Sequence, residues 1–124
     1  MPLDRSFVKG PAGFEKLAPV LPLFTAKDEA DALALCAQIL EQEGIGHTAI
    51  IHTMDESRAR RFAKRMPASR ILVRSGGSLG CIGVGNGLAI SFTLGCGTDG
   101  GSSTTENVTY THLRNVKRLA FPTA

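Results

Sequence analysis

Cys96 is the residue whose type and setting could most directly do chemistry. It lies in Leu94-Gly95-Cys96-Gly97-Thr98-Asp99-Gly100-Gly101-Ser102, after the short run Ser91-Phe92-Thr93-Leu94 and ahead of Glu106-Asn107-Val108. Flanking glycines leave backbone amides open and let the chain approach a ligand closely. They also expose the thiol, and nearby amides can lower its pKa toward the reactive thiolate. A buried structural cysteine is an equally good reading of the same residues. His47 follows Gly44-Ile45-Gly46 at the mouth of a strand. A histidine there is most often a structural hydrogen-bonder, although strand mouths of α/β sheets are also where ligands gather. His52 and His112 have no comparable setting and read as surface or core residues.

Other patterns carry less. Cys36, Cys81 and Cys96 are an odd number with no C-x-x-C spacing, which argues against a disulfide framework and against a metal site of the zinc kind. Gly76-Gly77-Ser78-Leu79-Gly80 matches the nucleophile-elbow pattern, but Leu79 to Asn86 is too glycine-rich for the helix an elbow requires. Gly83-Val84-Gly85-Asn86-Gly87 lacks the third glycine of a dinucleotide fingerprint. Asn107-Val108-Thr109 is a formal glycosylation triplet without a secretory context. The basic residues from Arg58 to Arg74 lack interleaved aromatics, so they read as a solvated face and not as a nucleic-acid surface.

The elements that would position these residues are legible in places. Residues 1–13 read as an irregular lead-in. Val20-Leu21-Pro22-Leu23-Phe24 reads as a strand end or edge, because Pro22 cannot donate to a ladder. Asp28 to Glu43 predicts a helix with Leu33, Cys36, Ala37 and Leu40 on one face, acids in its first turn and Gly44 as its stop. His47 to Thr53 reads as a buried strand. Asp55 then caps a second helix, with Ala59, Phe62, Ala63 and Met66 on one face and Pro67 ending it. Arg70 to Arg74 is a further strand. Strand, helix, strand, helix, strand implies an α/β fold with a parallel sheet. Gly76 to Gly101 reads as a glycine-rich loop system. Thr111 to Val116 predicts a helical turn or two, and Val116 to Phe121 a last strand with an open edge.

Composition sets the limits. At 124 residues, 43% hydrophobic and 20% charged, the chain suits one globular domain. No run reaches the roughly 18 apolar residues of a membrane span, and Met1 to Ser6 lacks a signal-peptide core, so a cytoplasmic location is expected.

Several short stretches, taken jointly and in order, resemble a known family. They are Glu15-Lys16-Leu17-Ala18-Pro19-Val20, Ile45-Gly46-His47-Thr48, Thr93-Leu94-Gly95-Cys96-Gly97, Glu106-Asn107-Val108, and His112-Leu113-x-Asn115-Val116. The pattern, from about Phe14 to Phe121, is similar to the C-terminal part of the catalytic domain of CoA-acylating aldehyde dehydrogenases. Those include acetaldehyde and succinate-semialdehyde dehydrogenases and the aldehyde half of aldehyde–alcohol dehydrogenases. In that family a cysteine attacks the aldehyde, hydride passes to a nicotinamide cofactor, and coenzyme A takes the resulting thioester.

The resemblance implies roles residue by residue. Glu15 matches the glutamate that holds the nicotinamide ribose, and Leu17 the apolar residue against the nicotinamide. His47 matches the active-site histidine of the acylating branch, a proton acceptor or an orienter of the incoming thiol. Cys96 matches a second cysteine of the pocket, not the nucleophile. Asp99 stands where an aromatic is common. The family's nucleophile and dinucleotide-binding half lie upstream of anything matched here. The expectation is therefore residues 14–124 as a catalytic-domain segment that uses NAD or NADP with coenzyme A and is inactive alone. Its strand at 116–121 would serve a homo-oligomer or a longer dehydrogenase chain. The alternative is a non-catalytic α/β module that docks through that strand. A minimal enzyme, with Cys96 as nucleophile and His47 as base, is a third reading.

Overall fold

Acidic caps fix where both main helices begin. The computed structural model describes residues 2–123. In it the Asp28 carboxylate accepts the Asp31 amide at 2.8 Å and starts helix α1, Glu29–Gln42. Asp55 accepts the Arg58 amide at 3.1 Å and starts α2, Glu56–Arg65. Each cap satisfies an amide that the first helical turn leaves unpaired. Lys64 and Arg65 close α2 where the helix dipole favours cations, and Pro67 follows. Strand β1, Gly46–Ile51, lies between the helices, and β2, Ala68–Val73, follows α2. The strands are parallel, with Thr48 opposite Arg70 and Ile50 opposite Leu72. The fold is α/β, as expected.

Side-chain alternation along the strands divides the layers. Ala49, Ile51 and Ile71 pack with Ala37, Phe62 and Met66 of the helical side. Ile50 and Leu72 point the other way, toward a single helical turn α3, Gly77–Cys81. That turn corrects the expectation of loop throughout residues 76–101. Its glycines allow it: a Cβ on Gly80 would lie 2.5 Å from Ser75 Oγ and 2.9 Å from Leu72 Cδ1, so a side chain there would require those two side chains to move.

Three other expectations change. Residues 2–13 are not irregular. They form 3-10 turns at Arg5–Lys9 and Pro11–Gly13, bury Val8, and tie to α1 through an Arg5–Asp31 ion pair at 2.7 Å. Val20 to Phe24 contributes only an isolated bridge, Leu3 to Phe24, so the sheet has two strands among the described residues. Val116 to Phe121 is exposed and is not a strand, because a strand is defined by its ladder and no described residue pairs with it. The helical turn or two expected over Thr111 to Val116 is a single 3-10 turn at Tyr110–Leu113, and residues 114–116 are not helical. No helix among the described residues is long and apolar enough to cross a membrane.

The surface is large for the mass. A monomeric protein of 13.1 kDa exposes about 6,400 Å² by the usual scaling, whereas this chain exposes 9145 Å². Leu21, Phe92, Leu113, Leu119 and Phe121 all stand in solvent. Such apolar exposure is what interfaces look like before they close.

Acid should loosen this fold. Ser6 holds the Asp4 carboxyl below its usual range, the Lys27 amide does so for Asp31, Ser57 for Asp55, and the Arg61 guanidinium for Glu29. Carboxyls depressed in the folded state contribute stability above their unfolded pKa of about 4 and lose it as pH falls through the folded values. Circular dichroism should therefore show a flat signal from pH 7 to about pH 5 and a cooperative loss below about pH 4.

Candidate functional site

A backbone contact brings the two sequence-marked candidates together. The chain around Cys96 forms one arm of a hairpin-like pair: Gly95 N–H donates to Glu106 O at 2.9 Å and Gly97 N–H to Thr104 O at 2.8 Å. The turn at residues 97–102 closes with Ser102 N–H donating to Gly97 O at 2.8 Å. This turn lies directly on Gly46. A Cβ there would stand 2.1 Å from Cys96 O and 3.0 Å from Gly100 N. Gly46 immediately precedes His47, so residues far apart in sequence become neighbouring backbone. The side chains of His47 and Cys96 nevertheless share no hydrogen bond among the described residues, and the nucleophile–base pair of a minimal enzyme is not formed.

His47 is half-buried, and its Nδ1 lies 2.9 Å from Thr48 Oγ1. Partial burial, then the Arg70 guanidinium, hold the imidazole below its usual range, while the Glu15 carboxylate acts in the opposite direction. Glu15 is thus close enough to His47 to be felt, and its backbone N–H is anchored at 2.5 Å to Glu43 Oε2 at the end of α1. Leu17, two residues on, is 90% exposed with a left-handed backbone, φ 46°. A non-glycine residue there is strained, and such strain tends to collect where a chain is held open for a ligand. His47 sits at the amino end of β1, so the carboxyl-end rule of α/β sheets does not explain this site. The convergence of three stretches does.

Two residues of the neighbourhood escaped the sequence reading of their surroundings. Arg58 and Arg61 do form a solvated face, paired with Glu29 on α1 at 3.0 and 2.9 Å. Arg70, grouped with them by sequence, is 3% exposed. Its Nε donates to Thr48 Oγ1 and its Nη1 to Thr105 O, both at 3.2 Å, so it links β2, β1 and the segment behind the cysteine turn. The signal was available: an arginine at the head of the apolar run Ile71-Leu72-Val73 must find partners if that run is buried. Asn107 is the second. Its Nδ2 donates to Cys81 O at 2.9 Å and to Ala89 O at 2.7 Å, pinning the glycine-rich loop from inside.

The remaining candidates fall outside. Cys36 lies against the core, and burial pushes its thiol up, away from reactivity. His112 Nδ1 accepts the Thr109 amide at 3.0 Å, leaving Nε2 to donate to Glu106 at 2.9 Å, a cap and not a site. A groove of 470 Å³ between α1, α2 and β1, lined in part by Leu33, Cys36, Ile50 and Phe62, contains neither His47 nor Cys96. It is an uncovered flank of the sheet and not an enclosed pocket around the convergent polar groups.

Known proteins resemble this chain along most of its length. An aldehyde-alcohol dehydrogenase of Entamoeba histolytica is 44% identical over 107 residues, 86% of this chain and 12% of the relative. An acylating sulfoacetaldehyde dehydrogenase of Bilophila wadsworthia is 40% identical over 111 residues, 89% of this chain and 24% of the relative. The crystal structure of an acetylating aldehyde dehydrogenase from Geobacillus thermoglucosidasius superposes with a TM-score of 0.85 at 41% identity, covering 90% of this chain and 25% of that one. The chain thus spans no more than about a quarter of the length of these relatives. No protein-family model matches it.

Proposed function

We propose that this chain, which belongs to the acylating aldehyde dehydrogenases as a segment of their length, supplies one wall of such an enzyme's active site and is inactive alone. The complete reaction joins an aldehyde, coenzyme A and NAD or NADP to give acyl-CoA and the reduced cofactor. The observation that carries this reading is the Cys96 turn resting on Gly46, next to His47, with the Glu15 carboxylate close enough to act on the imidazole.

The residues present fit a nicotinamide cofactor. An open carboxylate at Glu15 can accept the hydroxyls of a ribose, and the uncovered alkyl side chain of Leu17 can lie against the nicotinamide ring. When bound, that cofactor supplies the hydride acceptor. His47 faces the same space as a proton acceptor or as an orienter of the coenzyme A thiol, with its neutral form favoured by burial and by Arg70. Cys96 is the second cysteine that the family resemblance assigns to this pocket wall. The attacking cysteine and the dinucleotide-binding half come from beyond these residues.

The test is reduced-cofactor formation by the purified, folded chain with short aldehydes, with and without coenzyme A. No turnover is expected. Coenzyme A-dependent turnover that vanishes in Cys96→Ser would overturn the proposal and make this a minimal enzyme. A second reading, a non-catalytic module that docks on itself or on a longer dehydrogenase, is favoured by one observation. The stretch from Arg114 to Thr123 is wholly exposed yet carries Val116, Leu119 and Phe121. Activity restored by a full-length relative inactivated at its own segment would favour a supplied wall, and co-purification without restored activity would favour docking.

A further inference from the structure

We propose that Arg70 is a positioning residue for His47, acting through the Thr48 hydroxyl to keep Nδ1 unprotonated and the proton on Nε2. The inference deepens the site reading above, because it concerns the same histidine.

The argument is a count of protons. Arginine is only a donor, so Arg70 Nε–H must occupy a lone pair of Thr48 Oγ1 at 3.2 Å. The hydroxyl keeps one proton, and at a half-buried position that proton needs an acceptor. His47 Nδ1, at 2.9 Å, is the acceptor within reach among the described residues. If Nδ1 carried a proton instead, donors would take both Thr48 lone pairs and its own proton would have no protein acceptor among the described residues. The guanidinium adds a second constraint. Its Nη1 is fixed on Thr105 O, its Nη2 is buried without a partner, and no carboxylate pairs with it among the described residues. An uncompensated buried cation disfavours a second one beside it.

The charged groups around the ring are Arg70 from β2 and Glu15 from the N-terminal segment. The glycine turn packed on Gly46 carries Asp99 and Cys96, neither of which hydrogen-bonds the ring among the described residues. The consequence is directional. With Nε2 protonated, the nitrogen of neutral His47 that Thr48 leaves free is a hydrogen-bond donor, which orients a thiol sulfur or a carbonyl oxygen and does not remove a proton. Of the two roles open to His47, this selects the orienter.

Long-range proton–nitrogen correlation spectra of the purified chain, taken where the ring is neutral, read the tautomer directly and need no activity. The wild type should show Nδ1 with the shift of an unprotonated nitrogen and Nε2 with that of a protonated one. Thr48→Val, which keeps the shape and the Arg70–Thr105 contact, should give an averaged mixture of both tautomers. Arg70→Met should do the same and also raise the His47 titration midpoint. Arg70→Lys, which retains a charged donor to Thr48, should restore most of both, and the exposed control Arg60→Met should change neither. A protonated Nδ1 in the wild type, or a Thr48→Val spectrum identical to it, would overturn the proposal even if the chain lines an active site. Conversely, the expected spectra would stand even if the site reading failed in the turnover assay.

Discussion

A Gly46→Ala variant is expected to lose more than about 3 kcal/mol of stability, beyond the usual span for a point substitution. Two costs coincide. Gly46 has φ 78°, where an L-residue pays about 1–2 kcal/mol. The new Cβ would also stand 2.1 Å from Cys96 O, a backbone atom that cannot swing aside as a side-chain tip can. The turn must lift, or β1 must move and stretch the 2.7 Å bond from Gly46 N–H to Pro67 O. Gly85→Ala separates the two costs, since Gly85 has nearly the same φ, 77°, with nothing within 4 Å of an added methyl. It should lose only the strain. Denaturant unfolding followed by circular dichroism gives both values, and thiol labelling gives a second readout, with Cys96 reacting faster once its turn lifts. Equal losses at Gly46 and Gly85 would mean that the cysteine turn does not rest on β1.

What the sequence made legible was local. Asp55 was recognisable as a cap, and Asp28 as an acid at a helix start that proves to be its cap, because such signals act within three residues of themselves, and both helices follow. The parallel pairing of β1 and β2 also follows from an intervening helix. The site was legible as a set of residues only through a resemblance, because its geometry is non-local. Nothing in Ile45-Gly46-His47 states that Cys96 lies on it. Arg70 was misread for the same reason: a charge near other charges looks solvated until the strand beneath it is known to be buried. The strands at residues 20–24 and 116–121 have a different cause. Their apolar residues are real, but a strand exists only with a partner, and neither finds a ladder among the described residues. The same absence accounts for much of the excess surface.

That surface makes the small core decisive. Phe62→Ala is expected to cost about 3 kcal/mol, the low end of the range for a buried phenylalanine. Phe62 is 6% exposed and is the largest side chain of the buried cluster with Ala37, Ala49 and Met66. It also lines both the 470 Å³ groove and a 180 Å³ hollow beside Leu40 and Ala49. Removing the ring joins the two, so water enters where a sealed core would keep a void, and the void's share of the penalty shrinks. The loss still weighs heavily, because domains of this size hold only about 5–15 kcal/mol in total. A chain that leaves 9145 Å² exposed belongs at the lower end. The urea midpoint should fall by a third or more. Phe92→Ala, at an 88% exposed position, should stay within about 0.5 kcal/mol of the parent. If the two phenylalanines prove equivalent, the helices and sheet are not held by this core, and their order depends on whatever covers the exposed face. If they separate as expected, the α/β unit folds on its own, and a failure to turn over aldehyde reflects an incomplete site and not an unfolded one.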